Sequence, residues 1–93
     1  MRYLDSQLRN VPVFTEGGIE VGRLAGFTLD SISHEIIQYV IKKARMLHMI
    51  PAKELLVHRH QVVSLSEEKM VIKDAAITEQ VEEKLTLSRS WKN

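Results

Sequence analysis

Short extended segments fill the chain between residues 11 and 73. Runs of β-branched and aromatic residues alternate there with turn residues, and no helical period lasts longer than one turn. The apolar runs, in which we predict six or seven strands, lie at 11–15, 19–29, 36–41, 46–50, 56–65 and 70–73. Residues 52–55 are predicted to form a single helical turn. Short strands at this close spacing, with no helix longer than one turn before residue 74, predict an all-β fold, a small barrel or sandwich.

Glycine and proline positions indicate where the strands bend or end. A glycine within a strand usually marks a bulge, a bend or a close approach of two backbones, and consecutive glycines favour a tight turn. We assign such structural roles to Gly17, Gly18, Gly22, Gly26 and Pro51. Residues 36–41 are apolar at both alternating positions, so both faces of that strand are expected to be covered. The expected core includes Phe14, Phe27, Leu29 and Tyr39.

The composition excludes several classes of protein. The chain of 93 residues has 13 Lys and Arg against 12 Asp and Glu, and this net charge of +1 is too small for a strongly electrostatic nucleic-acid binder. The absence of cysteine excludes disulfides, Cys-ligated zinc and a Cys nucleophile. No apolar run approaches the roughly 18 residues of a membrane span, and residues 1–5 lack the apolar stretch of a signal peptide, so a cytoplasmic protein is expected.

The residue pattern changes after residue 74. Ile77, Val81 and Leu85 recur at every fourth position, which predicts a short amphipathic helix or tail. These three residues and Trp91 are candidate interaction residues, because so short a helix is marginal alone in water and its apolar stripe must be buried on something. The predicted organisation is an N-terminal segment 1–7, a β domain 8–74 and a C-terminal segment 75–93 with a disordered end.

No catalytic constellation is evident in the sequence. Ser33, His34 and Glu35 are the residue types of a nucleophilic triad, but adjacent residues in a turn point in different directions. His58 and His60 would project from one face of a strand about 6.5–7 Å apart, with His48 as a candidate third ligand. This His-x-His spacing is a weak metal signal and is more typical of a polar outer face. No metal and no cofactor are therefore expected.

Lys42, Lys43 and Arg45 form a candidate basic patch at the end of a predicted strand. Nucleic-acid modules also need a wider basic face or stacking aromatic residues, and aromatic residues make up only 5% of this chain. We interpret the patch as a solvated strand end and do not expect nucleic-acid binding.

Three groups of motifs follow one another along residues 8–74. The first is Val13-Phe14-Thr15, then the glycine-containing segment 18–24, then 27–30 with its closing Asp30. The second is the apolar strand 36–41. The third is Ile50-Pro51, followed by Glu54-Leu55 and Val62-Val63. In this order the motifs resemble the PRC-barrel family, which is named for a domain of the photosynthetic reaction-centre H subunit.

The resemblance implies a small six-stranded β-barrel with a short C-terminal helix or tail. Members of the PRC-barrel family share no catalytic site and mostly act as binding or assembly modules. The resemblance therefore implies a non-enzymatic protein-interaction module. The family also includes a domain of a bacterial ribosome-maturation factor, which leaves a ribosome- or RNA-associated accessory factor as the alternative. A histidine-based metal-binding protein is the third interpretation. Because the core is small and has no disulfide, we expect a homo-oligomer, such as a dimer, and the sequence does not identify a protein partner.

Overall fold

A computed structural model gives the structure of this protein and describes residues 2–45, 47 and 53–78. The elements are α1 (Asp5–Leu8), β1 (Pro12–Thr15), β2 (Glu20–Leu29), β3 (Ile36–Lys43), β4 (Glu54–His58), a 3-10 helix (Arg59–Gln61), β5 (Val62–Leu65) and β6 (Met70–Ile72). A further helix begins at residue 74 and is described as far as residue 78. The described part of the chain is mostly β, as predicted.

The six strands form one mixed sheet. Hydrogen bonding joins them in the order β4-β3-β2-β1-β6-β5. All neighbours are antiparallel except β1 and β6, which are parallel. β4 and β5 therefore lie at the two ends of this order, and backbone pairing between described residues does not close the sheet.

The connection between β4 and β5 requires the sheet to be strongly curled. Only the 3-10 helix Arg59–Gln61 separates these two strands along the chain. In a flat sheet with about 4.8 Å between neighbours, the outer strands of six would stand about 24 Å apart. The chain from His58 to Val62 spans at most about 14 Å when fully extended. The two ends of the sheet order therefore lie close together.

The core lies on the inner face of the curled sheet. Alternation is clearest in β4, where Leu55 and Val57 are buried and the residues beside them are exposed. The buried apolar side chains form one cluster: Val11, Val13, Val21, Leu24, Ile41, Leu47, Leu55, Val57, Met70, Ile72 and Ala76. Every strand except β5 contributes to it, and β5 adds half-buried Val62 and Leu65 at its border. The strand residues therefore form a single core.

Gly22 lies at a close approach of β2 and β3. A Cβ atom at this position would overlap the backbone carbonyl oxygen of Lys42. The register of β1 against β2 shifts at the same place, so that Val21 is an extra residue in β2. Such a bulge increases the local twist and bend of a strand. The absence of a side chain at Gly22 thus allows β2 to bend beneath the β3 backbone.

Two glycines and a buried threonine build the β1–β2 turn. Gly18 has a φ of 90°, a left-handed conformation that favours glycine. The Thr15 hydroxyl, although buried, accepts a hydrogen bond from the Ile19 N–H at 3.2 Å. The Gly17 N–H donates to the Asp74 carboxylate at 3.3 Å. The turn is thereby tied to the first residue of the last described helix.

Asp30 organises the loop between β2 and β3. Its carboxylate accepts hydrogen bonds from the backbone N–H groups of Ile32 at 2.8 Å and Ser33 at 3.0 Å. These bonds, the one from Ser33 above all, lower the pKa of the Asp30 carboxyl. Because the pKa is lowered in the folded state, the stabilisation is present at neutral pH and is lost as pH falls through that lowered pKa.

Three expectations about burial and local structure are wrong. Phe27 and Leu29, predicted to be core, are 44% and 49% exposed, because β2 beyond Leu24 has no β1 neighbour to continue the core. Glu54 and Leu55, predicted in a helical turn, belong to β4, where pairing with β3 overrides the local helix preference. β3 is not covered on both faces, since most of its residues are half-buried.

Several predicted features lie outside the described residues. They are Pro51, His48, Val81, Leu85 and Trp91. Most of the apolar run 46–50 lies there too, whereas Leu47 is described and buried.

We expect Gly22→Val to lower the free energy of unfolding by about 2 kcal/mol or more, because the new side chain overlaps the Lys42 backbone. Gly26→Val is the matched control, since a Cβ atom there meets no heavy atom within 4 Å. We expect the control not to lower the free energy of unfolding, because valine is favoured over glycine within a strand. Chemical denaturation of both variants measures the difference, and equal midpoints would contradict the close approach.

Candidate interaction surfaces

An apolar row crosses the outer face of β2, β3 and β4. Val40 pairs in register with Gly26 on one side and with Leu56 on the other, so the three positions share one face of the sheet. Leu56 is 48% exposed, although Leu55 and Val57 beside it are fully buried. We name Gly26, Val40 and Leu56 the apolar outer row. It places aliphatic side chains on the face that points away from the core.

Charges of both signs border one end of the apolar outer row. Lys42 on β3 pairs in register with Glu54 on β4, and Lys53 precedes Glu54 in the chain. These three residues surround a shallow depression together with Leu56. An apolar centre with a polar, charged rim is the usual anatomy of a protein–protein interface.

Gly26 leaves a gap in the apolar outer row. A Cβ atom added at Gly26 would meet no heavy atom within 4 Å. Its φ is not positive, in contrast to the φ values of Gly18 and Gly22. A larger side chain therefore fits here without strain and would stand on the outer face. This position offers a way to add bulk to the surface while leaving the core unchanged.

A fourth cation, Arg23, lies beside the three residues of the predicted basic patch. Lys42, Lys43 and Arg45 line an open cleft of about 360 Å³ together with Arg23 of β2. We name these four residues the basic cleft. Glu20 is the single carboxylate residue among the described residues that line it. The cleft concentrates positive charge on a chain whose total charge is close to zero.

Two cations of the basic cleft are held by backbone carbonyl groups. The Arg23 guanidinium donates to the Asn10 oxygen at 2.8 Å. The Lys43 ammonium donates to the Leu47 oxygen at 3.0 Å. The other two cations of the cleft are exposed. The cleft thus combines fixed and accessible positive charge on one rim of the sheet.

The two predicted histidines do not project from one strand, so that expectation is wrong. His58 ends β4, and His60 lies in the 3-10 helix that follows, because the chain turns there toward β5. Their rings stack with centroids 4.6 Å apart. The Nδ1 atom of His58 accepts a hydrogen bond from the His60 backbone N–H at 3.2 Å. No group of three metal-ligating side chains occurs among the described residues.

Ser33, His34 and Glu35 serve the β2–β3 loop. The Ser33 hydroxyl accepts a hydrogen bond from the Glu35 N–H at 3.3 Å, and His34 has a turn conformation with a φ of 63°. The Glu35 carboxylate pairs with the Arg59 guanidinium at 2.9 Å, which ties the loop to the 3-10 helix. In the part of the chain that the structure describes, no hydrogen bond joins the His34 ring to Ser33 or Glu35.

A cavity of about 160 Å³ lies between α1 and the end of the β2–β3 hairpin. Its walls include Leu8, Leu24, Phe27, Ile36 and Tyr39. The pairing of β1 stops at Arg23 and Leu24, so α1 covers the inner face of the hairpin beyond this point. The four residues of this helix do not fill the space. We name this space the α1 cavity.

Ile77 is the one predicted C-terminal interaction residue that falls within the described ranges. It is half-buried and packs against the core cluster, next to fully buried Ala76. The described start of the apolar stripe therefore packs on the domain to which it belongs.

Sequence reasoning missed the apolar outer row and the α1 cavity. The row can be recognised in the sequence, because Leu55, Leu56 and Val57 are consecutive apolar residues. β3 also has apolar residues at both alternating positions. The expectation of two covered faces overlooks the row, since Leu56 on the outer face is 48% exposed. The cavity has no sequence signal, since it depends on how α1 lies against the hairpin.

In comparison with known proteins, no family model and no curated protein matches this chain. The resemblance to the PRC-barrel family therefore rests on the motifs quoted above. In the described ranges, no helix has the length and apolar character needed to span a membrane.

We expect the histidine pair to bind zinc more weakly than about 1 µM, because two imidazoles leave a tetrahedral site half empty and one ring nitrogen is already engaged. Calorimetry on metal-free protein measures this affinity. Sub-micromolar binding of one zinc per chain would contradict the expectation if His58→Ala or His60→Ala abolished it while the control His34→Ala did not.

Proposed function

We propose that this protein is a non-enzymatic interaction and assembly module of the PRC-barrel type, and that it self-associates through the apolar outer row. The observation that carries the proposal is Leu56, which is half exposed between two fully buried neighbours and stands directly opposite Val40. Aliphatic side chains on an open sheet face are the kind of surface that a second protein covers.

The barrel part of the proposal is supported by the curl of the sheet. The three residues of the 3-10 helix carry the chain from one end of the sheet order to the other. The Lys73 N–H also donates to the Gln61 oxygen at 2.8 Å, which binds the end of this connection to the chain just after β6. A curled six-stranded sheet with adjacent ends matches the barrel that the motif resemblance implies.

Self-association is supported by the charges that border the row. A two-fold interface brings the same patch together from both copies, so a charge is paired only where the patch also carries the opposite sign. Lys42 and Lys53 supply two positive charges and Glu54 one negative charge. Glu54 of each copy can therefore meet one lysine of the other, while the second lysine stays in solvent at the rim. This partial match favours a second copy of this chain as the occupant.

An RNA-associated accessory factor is the second candidate, and the basic cleft favours it. Four cations surround this cleft and one carboxylate residue faces them among the described residues. No aromatic residue is among its described lining residues, so base stacking is not available there. The cleft would therefore contact RNA through phosphate groups, without sequence preference.

We expect the wild-type chain to sediment as a dimer or larger assembly at about 100 µM. Gly26→Arg should shift it to monomer, because its Cβ atom stands in open space and the charged side chain would enter the interface without a partner. Leu56→Lys should act in the same direction. Ile32→Lys is the matched control, because Ile32 is 91% exposed in the β2–β3 loop, outside the apolar outer row.

A monomeric wild-type chain at that concentration would refute the self-association. An assembly that persists in both Gly26→Arg and Leu56→Lys would place the interface elsewhere on the protein. Circular dichroism of each variant establishes that the fold is retained.

For the second candidate, fluorescence anisotropy with a labelled oligouridine measures phosphate-driven binding. If the basic cleft binds RNA, the double variant K42Q/R45Q should weaken binding about tenfold and reduce the dependence on salt. The control K69Q/K73Q removes two charges outside the cleft. Equal weakening by both pairs, or no binding by the wild type, would eliminate the RNA-associated function.

A further inference from the structure

We propose that the α1 cavity is a binding site for one neutral aromatic ring, between benzene and indole in size. The cavity measures about 160 Å³, close to the roughly 150 Å³ of an apolar protein cavity that binds benzene. It lies beneath α1 on the inner side of the hairpin, whereas Val40 and Leu56 of the apolar outer row lie on the opposite face. Gly26, which has no side chain, borders both. Leu56→Lys lies outside the cavity lining and therefore tests the self-association without changing the cavity.

The walls of the cavity favour an apolar ring. Leu8, Leu24 and Ile36 supply aliphatic surface, and Phe27 and Tyr39 supply aromatic surface. Phe27 pairs in register with Tyr39, so both rings lie on the same face of the hairpin. Aromatic rings pack well against a further ring in offset or edge-to-face geometry.

The charges at the cavity compensate each other. Asp5 and Arg9 also line it, and the Asp5 carboxylate pairs with the Arg9 guanidinium at 2.8 Å. Because each ion already has an opposite charge beside it, neither strongly favours a charged ligand. A neutral ligand therefore suits this site better than an anion or a cation.

The cavity is accessible from solvent. Phe27 in its wall is 44% exposed, which gives a ligand a route into the cavity. Apolar surface that a ligand removes from water contributes favourably to binding. A bound ring would also add packing contacts to the side chains of both α1 and the hairpin.

Indole is the probe, and ¹H–¹⁵N NMR of the full chain is the measurement. We expect saturable shifts with a Kd of about 1 mM or tighter. Intermolecular NOEs should join indole protons to the methyl groups of Leu8, Leu24 and Ile36. Leu8→Trp places a side chain of the same size in the cavity and should weaken binding at least about tenfold. Leu4→Trp is the matched control, because Leu4 is 71% exposed and is not among the described lining residues.

A second titration, with N-acetyltryptophan amide, distinguishes a free ring from one carried by a peptide. Binding as tight as that of indole supports a peptide side chain as the occupant, and loss of binding supports a free small molecule. The ring site itself is refuted if indole at about 10 mM gives no NOE to the cavity methyl groups. Equal loss of binding in Leu4→Trp and Leu8→Trp also refutes it. If Leu8→Trp does not fold, the NOEs of the wild-type chain decide the question.

Discussion

The short connection between β4 and β5 determines the shape on which the other features depend. These strands lie at opposite ends of the hydrogen-bonded order, yet only three residues join them. The sheet must therefore bend sharply, and strands bend where a bulge interrupts their register. β2 has such shifts on both sides, at Val21 against β1 and at Ala25 against β3. Gly22 lies next to the first bulge, and because it has no side chain it does not collide with the backbone of β3.

Unequal strand lengths explain why the apolar outer row and the α1 cavity both lie at the β2–β3 hairpin. β2 and β3 have ten and eight residues, whereas β1 has four, so the hairpin extends beyond the part of the sheet that β1 covers. On the inner side, a single helical turn covers the extension and leaves the α1 cavity. On the outer side, half-exposed Leu56 of β4 lies beside half-buried Val40 of β3. An extended hairpin thus leaves a partly covered cavity on one face and the apolar outer row on the other.

The sequence predicted most strands because their alternation and turn residues are local properties. The β1–β2 turn is an example, since Gly17 and Gly18 follow a β-branched run. The strand at Glu54–His58 was only partly predicted, because its pairing with β3 is a long-range contact that local preference does not encode. For the same reason the His-x-His spacing wrongly predicts one strand, since His58 ends β4 and His60 lies in the 3-10 helix. The position of α1 against the hairpin is likewise tertiary, which is why the cavity had no sequence signal.

The free energy gained by burying the apolar outer row is too small to hold a dimer together alone. Fully burying one aliphatic side chain is worth about 1.5–3 kcal/mol, and Leu56 is already half-buried in the subunit. Two such residues from each copy therefore fall short of the roughly 8 kcal/mol that corresponds to a micromolar dissociation constant. A stable dimer must also bury the surrounding surface, since specific interfaces cover about 800 Å² per partner. The charged border at Lys42, Lys53 and Glu54 lies next to the row and is the nearest surface available for this extension. Because exposed ion pairs weaken as salt rises, an interface built in this way would be moderate in strength and sensitive to ionic strength.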